Sequence, residues 1–83
     1  MFYLGSYYQF IEKNYFLMKH YYLMAIEKGN VYAMTNLAFY YHITEYNYFR
    51  MKYYYTMAIA NGDLIAKQNL ELFMQLDDIE LFL

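Results

Sequence analysis

Two histidines, one serine and a short acidic run are the residues of this 83-residue chain that could do chemistry. A metal-binding histidine needs a second ligand at suitable spacing; neither His20 nor His42 has one beside it, so both read as surface residues. Ser6 is the only serine, and a nucleophilic serine needs a base that no sequence neighbour supplies. Asp77, Asp78 and Glu80 carry the charge for a cation site, but Asp77 followed three residues later by Glu80 reads better as a capping box opening a last short helix. Lys19 and Lys52, each near tyrosines, read as solvated helix positions rather than anion sites. No catalytic residue, metal ligand or cofactor is assigned, and the chain is expected not to be an enzyme.

Composition narrows the partners. A chain of this length has room for one small domain, able to bury only about 60 to 65% of its unfolded surface. Yet 61% of its residues are hydrophobic and 17% charged, against roughly 45 to 50% and 25% in ordinary soluble domains. Tyrosine (14) and phenylalanine (7) supply much of that excess, and a tyrosine's polar tip tolerates partial exposure. A net charge of −2 gives no electrostatic reason to expect nucleic acid or an anionic membrane as partner. Cysteine is absent, so there is neither a disulfide framework nor a thiolate site. The longest uncharged stretch, Gly29 to Thr44, is interrupted by polar residues and falls short of a spanning helix, and no leader pattern opens the chain. A soluble, intracellular protein is expected.

What positions these residues is a repetition. The phrase YYLMAIEKGN at Tyr21 to Asn30 returns as YYTMAIANGD at Tyr54 to Asp63, an offset of 33 residues. The same offset places Leu4 on Leu37, Tyr7 and Tyr8 on Tyr40 and Tyr41, Glu12 on Glu45, and Ala33, Asn36 and Leu37 on Ala66, Asn69 and Leu70, with no gap. A period in this range is the mark of a solenoid. From Asn47 to Asn61 the apolar positions Met51, Tyr54, Tyr55, Ala58 and Ile59 follow helical spacing, and Gly62 ends that helix as Gly29 ends its earlier copy. Asn30 and Asp63 stand as N-caps of helices beginning near Val31 and Leu64, which turn inward Ala33, Leu37 and Tyr41 in one copy and Ala66, Leu70 and Met74 in the other. Polar stretches Gln9 to Asn14 and His42 to Asn47 form the remaining connections.

These positions resemble the Sel1-like repeats, relatives of the tetratricopeptide repeat. The resemblance lies in the small residue four before the closing glycine (Ala25 before Gly29, Ala58 before Gly62) and the aromatic pairs ahead of it (Tyr21 and Tyr22, Tyr54 and Tyr55). It continues in Ala33 and Ala66 after the glycine, and in Leu4, Gly5, Tyr8 and Leu37, Ala38, Tyr41. The family's glycine-bearing loop between helices is here HITEYN, without glycine, and Glu71 replaces the small residue of the third copy. The resemblance implies an all-α, antiparallel helical-hairpin solenoid, an α-α superhelix, as one domain over residues 1–83 with copies at about 4–36, 37–69 and a partial 70–83. It also implies a role as scaffold or adaptor.

A partner then needs a face. Ala25, Ala33, Ala38, Ala58 and Ala66 let helices approach and are core, as are the aromatic pairs. With Ala33, Leu37 and Tyr41 inward, Tyr32, Asn36 and Phe39 fall on the opposite arc, and Ile65, Asn69 and Leu72 match them in the next copy. These six are expected to form a ridge gripping a peptide or helix, the asparagine amides free to hydrogen-bond its backbone. The competing expectation is that they pack against a neighbouring repeat. The chain reads as a non-catalytic protein-interaction module. The alternative is a self-associating unit or part of a longer array, stacking head to tail through apolar ends at Phe2, Tyr3, Leu4 and Leu81 to Leu83; a regulatory fragment of an enzyme comes third.

Overall fold

A computed structural model describes the backbone of residues 1–82 and the side chains of residues 1–74. Among them the chain forms five α-helices and no strand: α1 (Phe2–Phe10), α2 (Tyr15–Glu27), α3 (Val31–Ile43), α4 (Tyr48–Ala60) and α5 (Leu64–Phe82). Local chemistry starts each helix after the first. Asn14, Asn30 and Asn47 stand just outside α2, α3 and α4, and each side chain accepts the amide three residues on, from Leu17, Ala33 and Arg50, at 3.0 to 3.1 Å. Asp63 does the same for α5, accepting from Ile65 and Ala66 at 2.9 and 3.2 Å. Each cap satisfies a donor that the first helical turn leaves unpaired.

Glycines end α2 and α4. Gly29 at φ +82° and Gly62 at φ +90° adopt the left-handed conformation, and the amides after them return to Ala25 and Ala58 at 3.0 and 3.1 Å. That is the Schellman closure, which satisfies carbonyls at the helix end. The other two connections turn without glycine: Lys13 (φ 54°) and Tyr46 (φ 55°) are both left-handed, each directly before a capping asparagine. The glycine-free loop HITEYN is thus closed by a tyrosine in a conformation that costs an L-residue about 1 kcal/mol.

α1 packs most extensively on α2, and α3 on α4, while α2 with α3 and α4 with α5 meet across the glycine turns. This pairing is compatible with a helical-hairpin repeat. The molecule measures 41 × 26 × 17 Å, its least dimension close to two helix layers. The core is continuous, and its largest buried side chains include Met18 and Tyr22 together with Met51 and Tyr55, each pair 33 residues apart. All five predicted alanines are buried. Tyr8 and Tyr21 stack at 5.7 Å and 6° between ring planes, and Tyr41 and Tyr54 reproduce the stack at 5.8 Å and 5°.

Three expectations are corrected. α5 runs without a break through Asp77 to Glu80, so that stretch does not open a separate helix. Phe73, not Met74, packs against the core: its ring lies 4.9 Å from Tyr48 and 5.0 Å from His42, while Met74 is exposed. His42 is consequently half-buried among aromatics rather than a surface residue. Leu81 to Leu83, the C-terminal part of the expected stacking surface, lie outside the described side chains.

Candidate functional site

Helix α3 turns Ala33, Leu37 and Tyr41 into the core, which leaves the predicted ridge on its other face. Tyr32 is 69% exposed, its counterpart Ile65 on α5 is 64% exposed, and Phe39 and Leu72 are exposed as well. Tyr32 and Ile65 line one depression of about 660 Å³ that runs between the two glycine turns and includes Asn30 and Asp63 in its wall. Tyr32 also borders a hollow of about 500 Å³ with Met1, Phe2 and Tyr3, its ring tilted against Phe2 at 5.8 Å. Phe39 and Leu72 stand seven residues further along α3 and α5, two helical turns from that depression and on the same arc.

The two asparagines face inward. Asn36 is half-buried and donates from Nδ2 to the Tyr22 hydroxyl at 3.1 Å. Asn69, half-buried in the equivalent position, sits beside the Tyr55 hydroxyl and partly offsets the upward push of burial on its pKa. The Asn36 amide thus ties α3 to α2 of the preceding hairpin, and the apolar members of the ridge are left as its exposed part.

Sequence reasoning missed two polar clusters. The first surrounds Tyr22, whose hydroxyl donates to Gln9 Oε1 at 2.5 Å, accepts from Asn36, and lies 3.3 Å from Ser6 Oγ. Burial, eased by Ser6 and Asn36, raises the Tyr22 pKa, moving this phenol further from the range useful for proton transfer near neutrality. The second corrects the reading of Lys19 as a solvated lysine. Its ammonium meets Glu45 at 2.6 Å and lies over the rings of Tyr40 and Tyr41 at 5.1 and 5.4 Å. Glu45 also accepts from the Tyr40 hydroxyl at 2.7 Å. The available signal was that lysine, tyrosine and glutamate all recur at the 33-residue offset, and Tyr7 indeed donates to Glu12 at the same 2.7 Å.

A third hollow, apolar and of about 510 Å³, follows the outer face of α4 between Phe49, Tyr53, Met57 and Ala60. No group of three or more His, Asp or Glu able to hold a metal ion occurs among the described residues, and no helix there is long and apolar enough to cross a membrane. Comparison with protein-family models, with curated proteins and with solved structures found no match to this chain.

Proposed function

We propose that the chain is a Sel1-like helical-hairpin solenoid acting as a non-catalytic protein-interaction module, which holds a peptide or helix of another protein along the outer arc of α3 and α5. The observation that carries this reading is the recurrence of exposed apolar side chains at matched positions, Tyr32 with Ile65 and Phe39 with Leu72, on helices whose opposite faces are buried. A packed helix ordinarily turns such residues inward, so a row of them left open on two successive hairpins is the kind of patch a partner covers. The half-buried Asn36 bonds to Tyr22 and so ties α3, which presents half of the ridge, to α2.

The test is selection of a random-peptide display library against the intact chain, repeated with Tyr32→Ser and Phe39→Ser combined. The reading expects enriched peptides that lose binding in the double variant while helicity by circular dichroism is kept. Peptides indifferent to the double variant place binding elsewhere, and loss of helicity makes the ridge part of the core; either result rejects it.

A further inference from the structure

Helices α2 and α4 each bury one face in the core, through Met18, Tyr22 and Ala25 and through Met51, Tyr55 and Ala58. The opposite face of each carries an open stripe. Phe16 on α2 is 81% exposed, and Phe49, its counterpart on α4, is 82% exposed. At 100° per residue Phe16, His20, Leu23 and Glu27 fall within about 60° of one another on α2, as do Phe49, Tyr53, Thr56 and Ala60 on α4. All eight are exposed. The chain reverses between α2 and α3 and again between α3 and α4, so α2 and α4 run in the same direction. With a least dimension of 17 Å holding two helix layers, they share one layer and present their stripes on one side of the molecule.

The two stripes fit each other better than either fits itself. Thr56 and Ala60 are small where α2 carries Leu23 and Glu27, and with Phe49, Lys52, Tyr53 and Met57 they leave the hollow of about 510 Å³ on α4. The α2 stripe offers a phenylalanine at its start and a carboxylate at its end, whereas a lysine lines the start of the α4 hollow. Both stripes step by four, three and four residues, a spacing that reads the same in reverse. An α4 laid antiparallel along α2 therefore comes into register throughout. Phe16 then lies over Ala60, His20 over Thr56, Leu23 over Tyr53, and Glu27 over Phe49, within one turn of Lys52. Two α2 helices laid together would instead set Phe16 on Glu27.

We infer that the chain forms a closed two-fold dimer through the outer faces of α2 and α4, the α2 of each copy lying antiparallel along the α4 of the other. Phe16 seats in the hollow on α4 and Glu27 pairs with Lys52. A second copy is the occupant because each stripe's complement, in size and in charge, is the other stripe of the same chain, so one two-fold contact covers both and leaves neither for a third copy. This face is separate from the ridge on α3 and α5 and does not rest on it.

The test is sedimentation equilibrium of the intact chain from about 1 μM to 1 mM, a range that populates a contact of modest strength. Monomer and dimer are expected, and nothing larger. Phe16→Ser should weaken the dimer about tenfold or more. Glu27→Lys and Lys52→Glu should each weaken it about threefold or more, the pair being made twice, and together in one chain they should restore it to within about threefold of the original. These charges are exposed, so the exchange decides the matter even where circular dichroism shows that Phe16→Ser disturbs the fold. A monomer at every concentration overturns the inference, and so does growth beyond the dimer, the sign of an open head-to-tail contact. A dimer indifferent to Glu27→Lys, or one that the double exchange fails to restore, overturns it as well, because α4 would then pair with α4 or another face would be in use.

Discussion

The hydroxyl of Tyr22 donates to Gln9 across 2.5 Å inside the first hairpin, and 33 residues later the matching pair is Tyr55 and His42, which make no such bond. His42 is drawn to Phe73 instead, Phe39 replaces Ser6, and the buried Tyr55 hydroxyl finds no hydrogen-bond partner among the described residues. Removing one partner of a buried hydrogen bond strands the other, whereas removing a hydroxyl that was already unpaired strands nothing. Tyr22→Phe is therefore expected to cost about 1 to 3 kcal/mol, since it leaves the buried Gln9 without its donor. Tyr55→Phe is expected to be neutral or to stabilise by up to about 1 kcal/mol. Urea denaturation of both variants checks the asymmetry, and equal costs would reject it.

The left-handed turns before α2 and α4 give the second prediction. Tyr46 is exposed and its φ of 55° is one that glycine adopts without strain. Tyr46→Gly is expected to stabilise the chain by about 0.5 to 1 kcal/mol, the relief of backbone strain exceeding the extra freedom glycine gives the unfolded state. Gly62→Ala should act oppositely, costing about 1 to 2 kcal/mol, and through backbone strain alone, because a methyl there meets nothing within 4 Å. In thermal melts of a chain this size each kcal/mol corresponds to roughly 4 to 8 °C. A fall in the melting temperature of Tyr46→Gly would mean that the tyrosine ring contributes more than its backbone costs.

What was legible in advance was whatever the chain specifies locally. Asparagine before a helical run and glycine after one state their roles through their own side chains or lack of them, and Asn30, Gly29, Gly62 and Asp63 behave as read. The inward stripe of α3 was legible because alanine, leucine and tyrosine at a spacing of four can share one face. Position 74 misled because burial at that point of the stripe needs a following helix: its counterpart Tyr41 stacks on Tyr54 of α4, whereas among the described residues Met74 stays exposed and its neighbour Phe73 packs on Tyr48 and His42. Lys19 and Glu45 are 26 residues apart, a pairing that no local pattern announces. The inward turn of Asn36 likewise depends on a hydroxyl that another helix delivers, and the six-residue ridge was legible as an arc but not in the engagement of its asparagines.

The Lys19, Glu45 and Tyr40 cluster predicts how stability depends on pH. Hydrogen bonds from Lys19 and then Tyr40 hold the Glu45 carboxyl below its ordinary value, so its contribution is present above the normal carboxylate range and is lost as pH falls through the lowered value. Burial alone would lower Lys19, but the bond to Glu45 and the neighbouring tyrosines outweigh it and raise the net value. Burial and then the bond to Glu45 push Tyr40 up to about 12. Contributions from Lys19 and Tyr40 are therefore complete below about pH 10 and disappear as pH rises through their raised values. Tyr22, Tyr54 and Tyr55, raised chiefly by burial, act in the same direction. The ion pair is about one-third exposed, so the acid limb is expected to be shallow, below about 1 kcal/mol. The alkaline limb should be steep, with buried tyrosines ionising at 295 nm only as helicity is lost. Glu45→Gln should flatten the acid limb, and an unchanged acid limb would count against the pairing.

The approach of Gly5 to Tyr22 ties the hydrogen bond to the backbone. A methyl group on Gly5 would fall on the Tyr22 ring itself, at Cδ1 and Cε1, and that ring is fully buried with its hydroxyl held by Gln9 and Asn36. In the second hairpin Ala38 takes the glycine's place and the Tyr55 hydroxyl is the one left unpaired, as if the added methyl and the anchored hydroxyl exclude each other. Gly5→Ala should gain about 1 kcal/mol in helix propensity and lose about 1 to 3 kcal/mol to overpacking, for a net destabilisation of up to about 2 kcal/mol. The discriminating measurement is a double-mutant cycle with Tyr22→Phe: once the hydroxyl no longer pins the ring, the ring can yield and the glycine substitution should cost less than in the wild-type background. Strict additivity would show that the clash does not depend on the anchored hydroxyl, and the difference between the two hairpins would then rest on His42 and Phe39 standing where Gln9 and Ser6 stand.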